Sequence, residues 1–491
     1  MINLQTIRRE LQRIPMVTAL AVFVAGILFF DRCELPSWTV RVCFALGCVV
    51  AAAAPRSAAA RMAVALSLFM FAGLVGERRN RESSLEMNEL RVVTMEVTDI
   101  PSERANGGIA VPVRIEGERV MLSSDGSFGI GFGDRITALA VIRGFGDVGS
   151  DDDTNAHYGR LMRRRGFVGR IFLRAADTLR VERGAAGRSV QAVAAERFSQ
   201  LDLEPSVGAV AGAMGAGDRS RMTAELRDAY ARSGVSHLLA VSGLHIGIVF
   251  LIANALFRFL TILRHGQVLA CIAVLIPVWL YAAACGFSPS VVRAAVMFTM
   301  LQISKACNSA YSSPNVLAAT AFVMLAANPD TLFDISFQLS FAAVAAIVVV
   351  GMPLMERVRH RTLPERFLWA CIIIGGVSFA ATAPLTAYFF GRLSVAGLIV
   401  NPIVIMCAYV IVGVSMLWLA APLPLLKPAV ETVLNFAGVV QNSAVEKIVS
   451  YEYLWFDVRI SESAVIFIYL LLAVLAAVLY GRIDDDYTRR T

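Results

Sequence analysis

The sequence predicts a polytopic α-helical membrane protein of about eleven or twelve spans, with a small all-β extracytoplasmic domain inserted near its N-terminus. Three observations lead to this fold class. The 491 residues are 57% hydrophobic and 17% charged, with a mean hydropathy of +0.64. Many apolar runs are about as long as the roughly 20 residues that a bilayer-spanning helix needs. Between residues 77 and 204, dense charges and short β-rich segments replace these runs.

Residues 1–76 are predicted to form an N-terminal membrane anchor. Its three spans are predicted at about 16–30, 38–54 and 62–76. The start, with Arg8, Arg9 and Arg13 before an apolar run, is similar to a signal peptide, but no A-x-A cleavage site follows, so we predict an uncleaved anchor. Positive residues favour the cytoplasm, so the N-terminus is expected inside and the chain after residue 76 outside. The formal net charge of +7 fits such cytoplasmic loops as well as a nucleic-acid partner.

Residues 77–204 are predicted to form the extracytoplasmic domain. No stretch in it is long enough to span a bilayer, and turns rich in Gly, Asn and Asp separate short alternating segments. Strands are predicted at 90–99, 109–115, 118–124, 135–145 and 168–174. Five or six short strands of this kind suggest a small barrel.

Residues 205–235 are predicted to be two amphipathic helices lying on the outer face of the membrane. In the second, Met222, Leu226 and Tyr230 recur every four residues, which places them on one side of a helix. Gly234 is the predicted C-cap of this helix.

Residues 236–483 are predicted to form the membrane core, followed by a polar tail over 484–491. Spans are predicted at about 237–263, 267–285, 290–306, 314–328, 334–355, 367–390, 395–421 and 464–481. Basic residues fall in every second loop, at Arg258, Arg264, Lys305, Arg357, Arg359, Arg361 and Arg366. These loops are therefore expected to be cytoplasmic. Residues 427–450 are amphipathic, and the sequence leaves open whether they cross the membrane or lie along it.

The first core segment, SHLLAVSGLHIGIVF over residues 236–250, carries polar residues in an apolar run. As one continuous helix, it would bring His237, Ser242 and His245 onto a single face. Polar side chains are costly in a bilayer, so such a face looks toward a bundle interior or a water-filled path. Two explanations remain open at this point: hydrogen bonds to neighbouring helices, or contact with a transported ligand.

The same segment resembles the signature of the ComEC family of competence proteins, which form the inner-membrane channel for DNA uptake in bacterial transformation. Two further segments match the family pattern in order, GFSPSVVRAAVMF over 286–298 and NPDTLFDISFQLSFAAV over 328–344. The resemblance implies a channel for single-stranded DNA in the cytoplasmic membrane. A route for a polyanion requires a hydrated, polar or positive lining. The predicted translocation path consists of His237, Ser242, Gly243, His245, Ser288, Arg293, Asp334, Ser336 and Gln338.

Arg293 is an arginine predicted to enter the membrane with its helix, and a buried arginine requires a partner. Asp334 is the natural candidate for an ion pair. The alternative is direct contact with the strand, because a guanidinium binds phosphate through a fork of donors. His237 and His245 also allow a metal site in principle, but no further ligands converge in sequence, so no metal is predicted.

The resemblance also implies that the extracytoplasmic domain is OB-like. OB-folds often bind single-stranded nucleic acid through basic grooves and stacking aromatic residues. The candidate DNA-binding residues are Tyr158, Arg160, Arg163, Arg164, Arg165, Phe167 and Arg170. A solvated helix face or an attraction to lipid headgroups would account for the same charges.

The sequence predicts a protein that is not an enzyme. The HxHxDH motif of the metallo-β-lactamase-like domain found in many ComEC relatives is absent, as are a Walker A motif and a catalytic triad motif. The eight cysteines show no metal-ligand spacing, and no cofactor is predicted. The expected partners are single-stranded DNA, membrane lipid, an outer DNA-receptor protein, a separate nuclease and a cytoplasmic ATPase or strand-binding proteins. Competing hypotheses are a small-solute or lipid-associated transporter, and a membrane-embedded hydrolase using Ser242 with His237 or His245.

Overall fold

A computed structural model of the protein describes most of the chain. The described residues are 15–33, 35–53, 57–77, 85–98, 102–103, 108–124, 130–145, 159, 162–174, 177–183, 189–239, 241–306 and 313–488. The chain divides into two compact units. One comprises Met1–Ser84 and Thr299–Phe341, and the other comprises Leu85–Phe298 and Ala342–Thr491.

Most of the described chain is helical. The helices are α1 Pro15–Phe30, α2 Ser37–Ala53, α3 Ala58–Glu77, α4 Val190–Ser199, α5 Pro205–Ala216, α6 Ala224–Arg232, α7 Ser236–Leu239, α8 Gly243–Phe257, α9 Gly266–Ala284, α10 Pro289–Ala306, α11 Ser313–Ala327, α12 Ile335–Ala346, α13 Met352–Arg357, α14 Leu363–Phe390, α15 Ala396–Ala420, α16 Lys427–Val449 and α17 Glu462–Thr488. A π-helical turn, Ile347–Gly351, joins α12 to α13 without a break.

Among the described residues, six helical segments are long and apolar enough to cross a membrane. They are Ala59–Gly76, Gly243–Ile262, Gly266–Ala284, Ile335–Arg357, Leu363–Phe390 and Ala396–Ala420. Shorter apolar helices are Pro15–Phe30, Ser37–Ala53, Ser313–Ala327 and Glu462–Ala476. The length and composition of these helices are those of a multi-pass membrane protein, as the sequence predicts. The larger count of eleven or twelve spans stays a prediction.

The smaller unit is built on close helix packing and aromatic contacts. Phe23 of α1 is fully buried, and its ring centroid lies 4.8 Å from that of Phe322. Gly26 faces α3 so closely that a Cβ atom at this position would lie 2.6 Å from the carbonyl oxygen of Phe69. Glycine therefore sets the approach of α1 to α3.

The β-rich region forms one curved sheet. Its strands are β1 Leu90–Val97, β2 Ser102–Glu103, β3 Ile109–Ile115, β4 Glu118–Ser124, β5 Arg135–Val141, β6 Arg143–Gly144, β7 Phe167–Leu173 and β8 Thr178–Glu182. The strand order is β6-β7-β4-β3-β1-β5-β8, with β4 and β7 parallel. Only Ile142 separates β5 from β6, so this bent segment pairs with β1 at one end and β7 at the other. The sheet thus closes around a buried core.

The predicted strands agree closely with this sheet. All five predicted segments contain strands, and their alternating burial matches the period of two that predicts them. The sequence did not predict β8, whose residues are mostly exposed. A strand without a buried face lacks the alternation of apolar and polar residues from which strands are predicted.

Helix α5 differs from the prediction of an amphipathic surface helix. Most of its residues are buried, including Val207 and Met214, and both ends of the helix contact other elements of the larger unit. The side chain of Val207 contacts Gly438 of α16, and the Met214 carbonyl accepts a hydrogen bond from Tyr281 Oη at 2.6 Å. Only α6 shows the predicted amphipathic pattern, with Tyr230 fully buried.

Helix α16 turns its polar side chains into the protein. Tyr230 Oη donates to Asn442 Oδ1 at 2.8 Å and accepts from Gln441 Nε2 at 3.0 Å. Asn442 Nδ2 in turn donates to Ser206 Oγ at 3.1 Å. Burial raises the pKa of Tyr230 above its ordinary value, so this hydroxyl keeps the proton that it donates. Exposed residues of α16 include the apolar Phe436 and Val439 as well as the polar Glu446 and Lys447.

A short ribbon connects the ends of α15 and α16. Strand β9, Arg392–Ser394, precedes α15 and pairs antiparallel with β10, Trp455–Asp457, which follows α16. The two helices therefore run antiparallel and α16 accompanies the membrane-length helix α15 over its course. At about 1.5 Å per residue, the 23 residues of α16 extend about 34 Å.

Gly234 ends α6 as predicted. Its φ is +75°, and the N–H of Val235 donates to the Tyr230 carbonyl, which is the Schellman pattern. A Cβ atom at this position would also lie 3.2 Å from Ser394 Oγ. We therefore expect Gly234→Ala to destabilise the protein by about 1–2 kcal/mol, measured as a lower melting temperature in detergent. Gly76→Ala is the control, because no atom of another described element lies within 4 Å of its Cβ position. Equal losses in both variants would contradict the expectation.

Candidate functional site

The 236–250 segment is not one continuous helix, contrary to the prediction. Helix α7 ends at Leu239, and α8 begins at Gly243. Ser242 has an extended backbone, with φ −114° and ψ 173°, and serves as the N-cap of α8. The predicted common face of His237, Ser242 and His245 therefore does not arise from helical spacing. Serine and glycine at a helix start favour a cap over continuation of the helix.

His245 is brought to Ser242 by this cap. The backbone N–H of Ser242 donates to His245 Nδ1 at 3.0 Å, and Ser242 Oγ lies 2.9 Å from the same nitrogen. A backbone N–H only donates, so Nδ1 accepts and the proton of the neutral imidazole lies on Nε2. His245 is 0% exposed, and its Nε2 has no hydrogen-bond partner among the described residues. The cap thus orients a buried N–H donor.

The start of α10 packs against the start of α8. Ser290 Oγ donates to the Val241 carbonyl at 2.7 Å. Next to the cap, Gly243 leaves room for Ala294, whose Cβ would lie 3.7 Å from a Cβ at Gly243. Two turns further along, the rings of Phe250 and Phe298 stack with centroids 4.5 Å apart. The predicted site residue Gly243 therefore acts through its small size, which lets the two helix starts approach.

Arg293 lies on this same start of α10, between Ser290 and Ala294, and is 2% exposed. Its side chain is therefore held within the protein, as the prediction of a membrane-embedded arginine requires. A guanidinium presents five N–H donors and keeps its charge at any physiological pH. The start of α10 thus carries a fixed positive charge close to the cap of α8.

A strained turn precedes α10. Gly286 and Phe287 both have left-handed backbones, with φ of +67° and +50°. For a phenylalanine this conformation is uncommon and costs on the order of 1–3 kcal/mol. The next residue is Ser288, whose buried Oγ has no hydrogen-bond partner within the described ranges. The turn therefore delivers a second buried polar group next to the start of α10.

His237 lies on α7, and its side chain is exposed. It is close enough to His245 for an electrostatic interaction. The larger unit therefore brings together five predicted residues, which we call the core polar cluster: His237, Ser242, His245, Ser288 and Arg293.

The other three predicted path residues belong to the smaller unit and make local contacts. Asp334 Oδ1 accepts from the Ser336 N–H at 2.7 Å and so caps the start of α12. Gln338 Nε2 donates to the Leu332 carbonyl at 3.0 Å. The predicted stripe of Ser336 and Gln338 is thus tied to the turn that precedes its own helix. The predicted pairing of Arg293 with Asp334 stays a prediction.

The predicted DNA-binding residues of the β-rich region have different environments. Tyr158 and Arg160 lie outside the described residues. Arg163 and Arg165 are exposed and Arg164 is half-buried in the turn before β7. Phe167 is only 6% exposed, and the Arg119 guanidinium lies 4.8 Å from the centre of its ring. The Phe167 ring is therefore buried against Arg119, outside the core cluster of the sheet, and its stacking on a base stays a prediction.

Sequence reasoning missed Phe172, which is 61% exposed on β7. The end of β7 contains the signal: Ile171 and Leu173 point into the core, which leaves Arg170 and Phe172 outward. In the described part of the chain, no three His, Cys, Asp or Glu side chains form a metal-binding group.

A hydrolase that uses Ser242 as nucleophile and His245 as base would also need these two side chains in contact. In such a pair a third group orients the imidazole from its other nitrogen. Here the Ser242 N–H shares Nδ1, and no described group is bonded to Nε2. The geometry is that of a helix cap.

Comparisons with known proteins agree with the position of the core polar cluster. A family model described as "Competence protein" matches residues 214–482. The chain is 29% identical over 208 residues to ComE operon protein 3 of Bacillus subtilis (strain 168), covering 42% of this chain and 26% of that protein. It is 32% identical over 196 residues to an uncharacterized protein of Aquifex aeolicus (strain VF5), covering 40% and 43%. The matched regions thus span less than half of these relatives.

No solved structure matches the chain. The family model nevertheless covers more than half of the 491 residues and includes the whole core polar cluster. The protein therefore belongs to the Competence protein family.

Proposed function

We propose that the protein conducts single-stranded DNA across the bacterial cytoplasmic membrane during natural transformation. The observation that carries this proposal is the pair formed by the buried Nε2–H donor of His245 and the buried positive charge of Arg293. Both lie at the adjoining starts of α8 and α10, within the region matched by the competence family model.

A translocating strand presents a series of phosphate oxygens, each an acceptor with negative charge. A neutral N–H donor and a hydroxyl at Ser288 offer such oxygens hydrogen bonds without fixed charge, while Arg293 supplies one positive charge. Conduction needs favourable entry without a strong trap. One arginine among neutral donors meets this requirement better than a cluster of cations would.

The proposal includes an extracytoplasmic OB-like domain that guides the strand. Its support is the strand pairing: β1, β3, β4, β7 and the bent β5–β6 segment make a five-stranded closed path with a parallel β4–β7 pair. In this proposal Arg163, Arg164, Arg165 and Arg170 attract the strand.

We further propose that this chain is not itself an enzyme and uses no cofactor or metal. Strand degradation and the driving force would then come from a separate nuclease and from a cytoplasmic ATPase or strand-binding proteins. A DNA-receptor protein on the outer side would deliver the strand. The membrane would be the bacterial inner membrane, with residues 77–204 outside.

The test is entry of labelled DNA into the cytoplasm of a naturally transformable strain that lacks this gene. We expect deletion to abolish entry, with DNA binding at the cell surface preserved, and the wild-type chain to restore it. Undiminished entry and transformation in the deletion strain would refute the proposal. The alternative is a small-solute or lipid-associated transporter. A transporter without residues 77–204 should still transport its solute, whereas a DNA channel without them should no longer take up DNA.

A further inference from the structure

Four arginines form a row across the outward face of the closed sheet. Arg114 on β3 is directly opposite Arg119 on β4, and Arg143 on β6 is directly opposite Arg170 on β7. On the β4–β7 pair, Arg170 is opposite Met121, the outward residue that follows Arg119. The strand order β6-β7-β4-β3 places the four arginines on neighbouring strands, with a step of two residues along β4 between the level of Arg170 and Arg119. We call Arg114, Arg119, Arg143 and Arg170 the arginine row.

The arginine row works against the stability of the sheet. Like charges directly opposite each other on paired strands are destabilising, and the row contains two such pairs. Within the described residues none of the four arginines takes part in an ion pair. Glu96 on β1 is opposite Arg114 and marks the end of the row. A polyanion lying along the row would relieve both repulsions.

An exposed aromatic ring lies beside the row. Phe172 follows Arg170 by two residues on β7, so both point outward, and it is opposite Ser123 on β4. The neighbouring Arg119 is held by its contact with the buried ring of Phe167. Positive charge that follows a backbone, with an aromatic ring that stacks on a base, is the combination that binds single-stranded nucleic acid.

We propose that the arginine row and Phe172 form a binding surface for single-stranded DNA. The phosphates lie along the row and one base stacks on Phe172. With strands about 4.8 Å apart, three steps give the row a length of about 14 Å, enough for a few nucleotides. This inference rests on the proposed function and names the residues that receive the strand. A lipid headgroup would meet the charges equally well but gives the exposed ring no stacking partner.

The experiment measures binding of a fluorescent oligothymidylate to the full-length protein in nanodiscs at several salt concentrations. We expect Arg114→Gln with Arg143→Gln to raise the Kd about tenfold or more. The slope of log Kd against log salt should fall by about 1.4, since each phosphate contact contributes about 0.7 for a single strand. The matched control is Arg180→Gln with Arg183→Gln, which removes two exposed charges at β8, away from the row.

Phe172→Ala separates stacking from charge. It should raise the Kd for the oligothymidylate about five- to a hundredfold and leave the salt slope unchanged. The row variants should melt no lower than the wild type, because they remove repulsion between paired strands.

Each other outcome overturns the inference in a distinguishable way. If the wild-type protein does not bind the oligonucleotide, both the inference and the proposed DNA channel are contradicted. If the wild type binds and the row variants keep its Kd and slope, the row is not the surface, while the DNA function stands. If the row variants change only the response to anionic lipid in the nanodisc, the row faces the membrane. If the β8 control raises the Kd as much as the row variants do, the oligonucleotide is attracted by the overall positive charge and not by the arginine row.

Discussion

Replacing His245 by asparagine is expected to reduce DNA entry about ten- to a hundredfold while the protein still folds and reaches the membrane. Asparagine preserves the cap, because its Oδ1 takes the place of the imidazole Nδ1 and accepts from the Ser242 N–H. No group of asparagine reaches the position of Nε2, so the buried Nε2–H donor is lost. A hydrogen bond to a charged acceptor contributes about 1.5–3 kcal/mol, and 1.4 kcal/mol is a factor of ten. The measurement is labelled DNA in the cytoplasm, normalised to the amount of protein in the membrane.

Ser242→Ala serves as the comparison for His245→Asn. It weakens the cap, at a cost of about 1 kcal/mol in stability, but leaves the imidazole in the protein. We expect a smaller loss of DNA entry from this variant. Normal DNA entry with His245→Asn would mean that the imidazole only caps α8, and the role of the core polar cluster in transport would be refuted. Turnover of some substrate that Ser242→Ala abolishes would favour the hydrolase hypothesis instead.

Arg293→Lys is expected to lower DNA entry about tenfold, and Arg293→Met to abolish it. Lysine keeps the charge but presents it as a point instead of the planar fork that matches a phosphate. Methionine fills a similar volume without charge. The variants are compared by DNA entry at equal membrane amounts.

Arg258→Met is the control, since Arg258 follows the other end of α8 and is exposed. It should leave entry unchanged. Wild-type entry with Arg293→Met would contradict a role for this charge in the route. If Arg293→Met fails to accumulate in the membrane, Arg293 forms a structural ion pair, which is the alternative that the sequence leaves open. Arg293→Lys then distinguishes the two roles. An ion pair keeps its charge in this variant, so a purely structural role predicts normal DNA entry.

Much of the fold is predictable from the sequence because its signals are local. The strands of the β-rich region follow from alternation, and the spans that end at Phe390 and Ala420 follow from long apolar runs between polar turns. The break before α8 is also a local signal. Ser242 followed by Gly243 is a sequence typical of a helix N-cap. The apolar residues on both sides of it predict one continuous membrane span, and this prediction hides the cap.

The remaining features depend on contacts between distant parts of the chain. Helix α5 has an apolar sequence that suits a surface or a buried site equally, and only its packing against α16 decides. The orientation of the imidazole at His245 depends on a cap that periodicity does not describe. The position of Arg143 beside Arg170 requires the bend at Ile142, which joins strands far apart in sequence.

The buried polar side chains of α16 affect the order in which parts of the protein assemble during synthesis. Gln441 and Asn442 find their partner in Tyr230, which is synthesised more than 200 positions earlier. Without this partner, their polar groups would have to enter lipid unsatisfied, at a cost of several kcal/mol each. We therefore do not expect helix α16 to enter the bilayer on its own as it leaves the translocon. It would take its final place only after α6 is assembled, so a helix near the end of the sequence depends on residues in the first half of the chain.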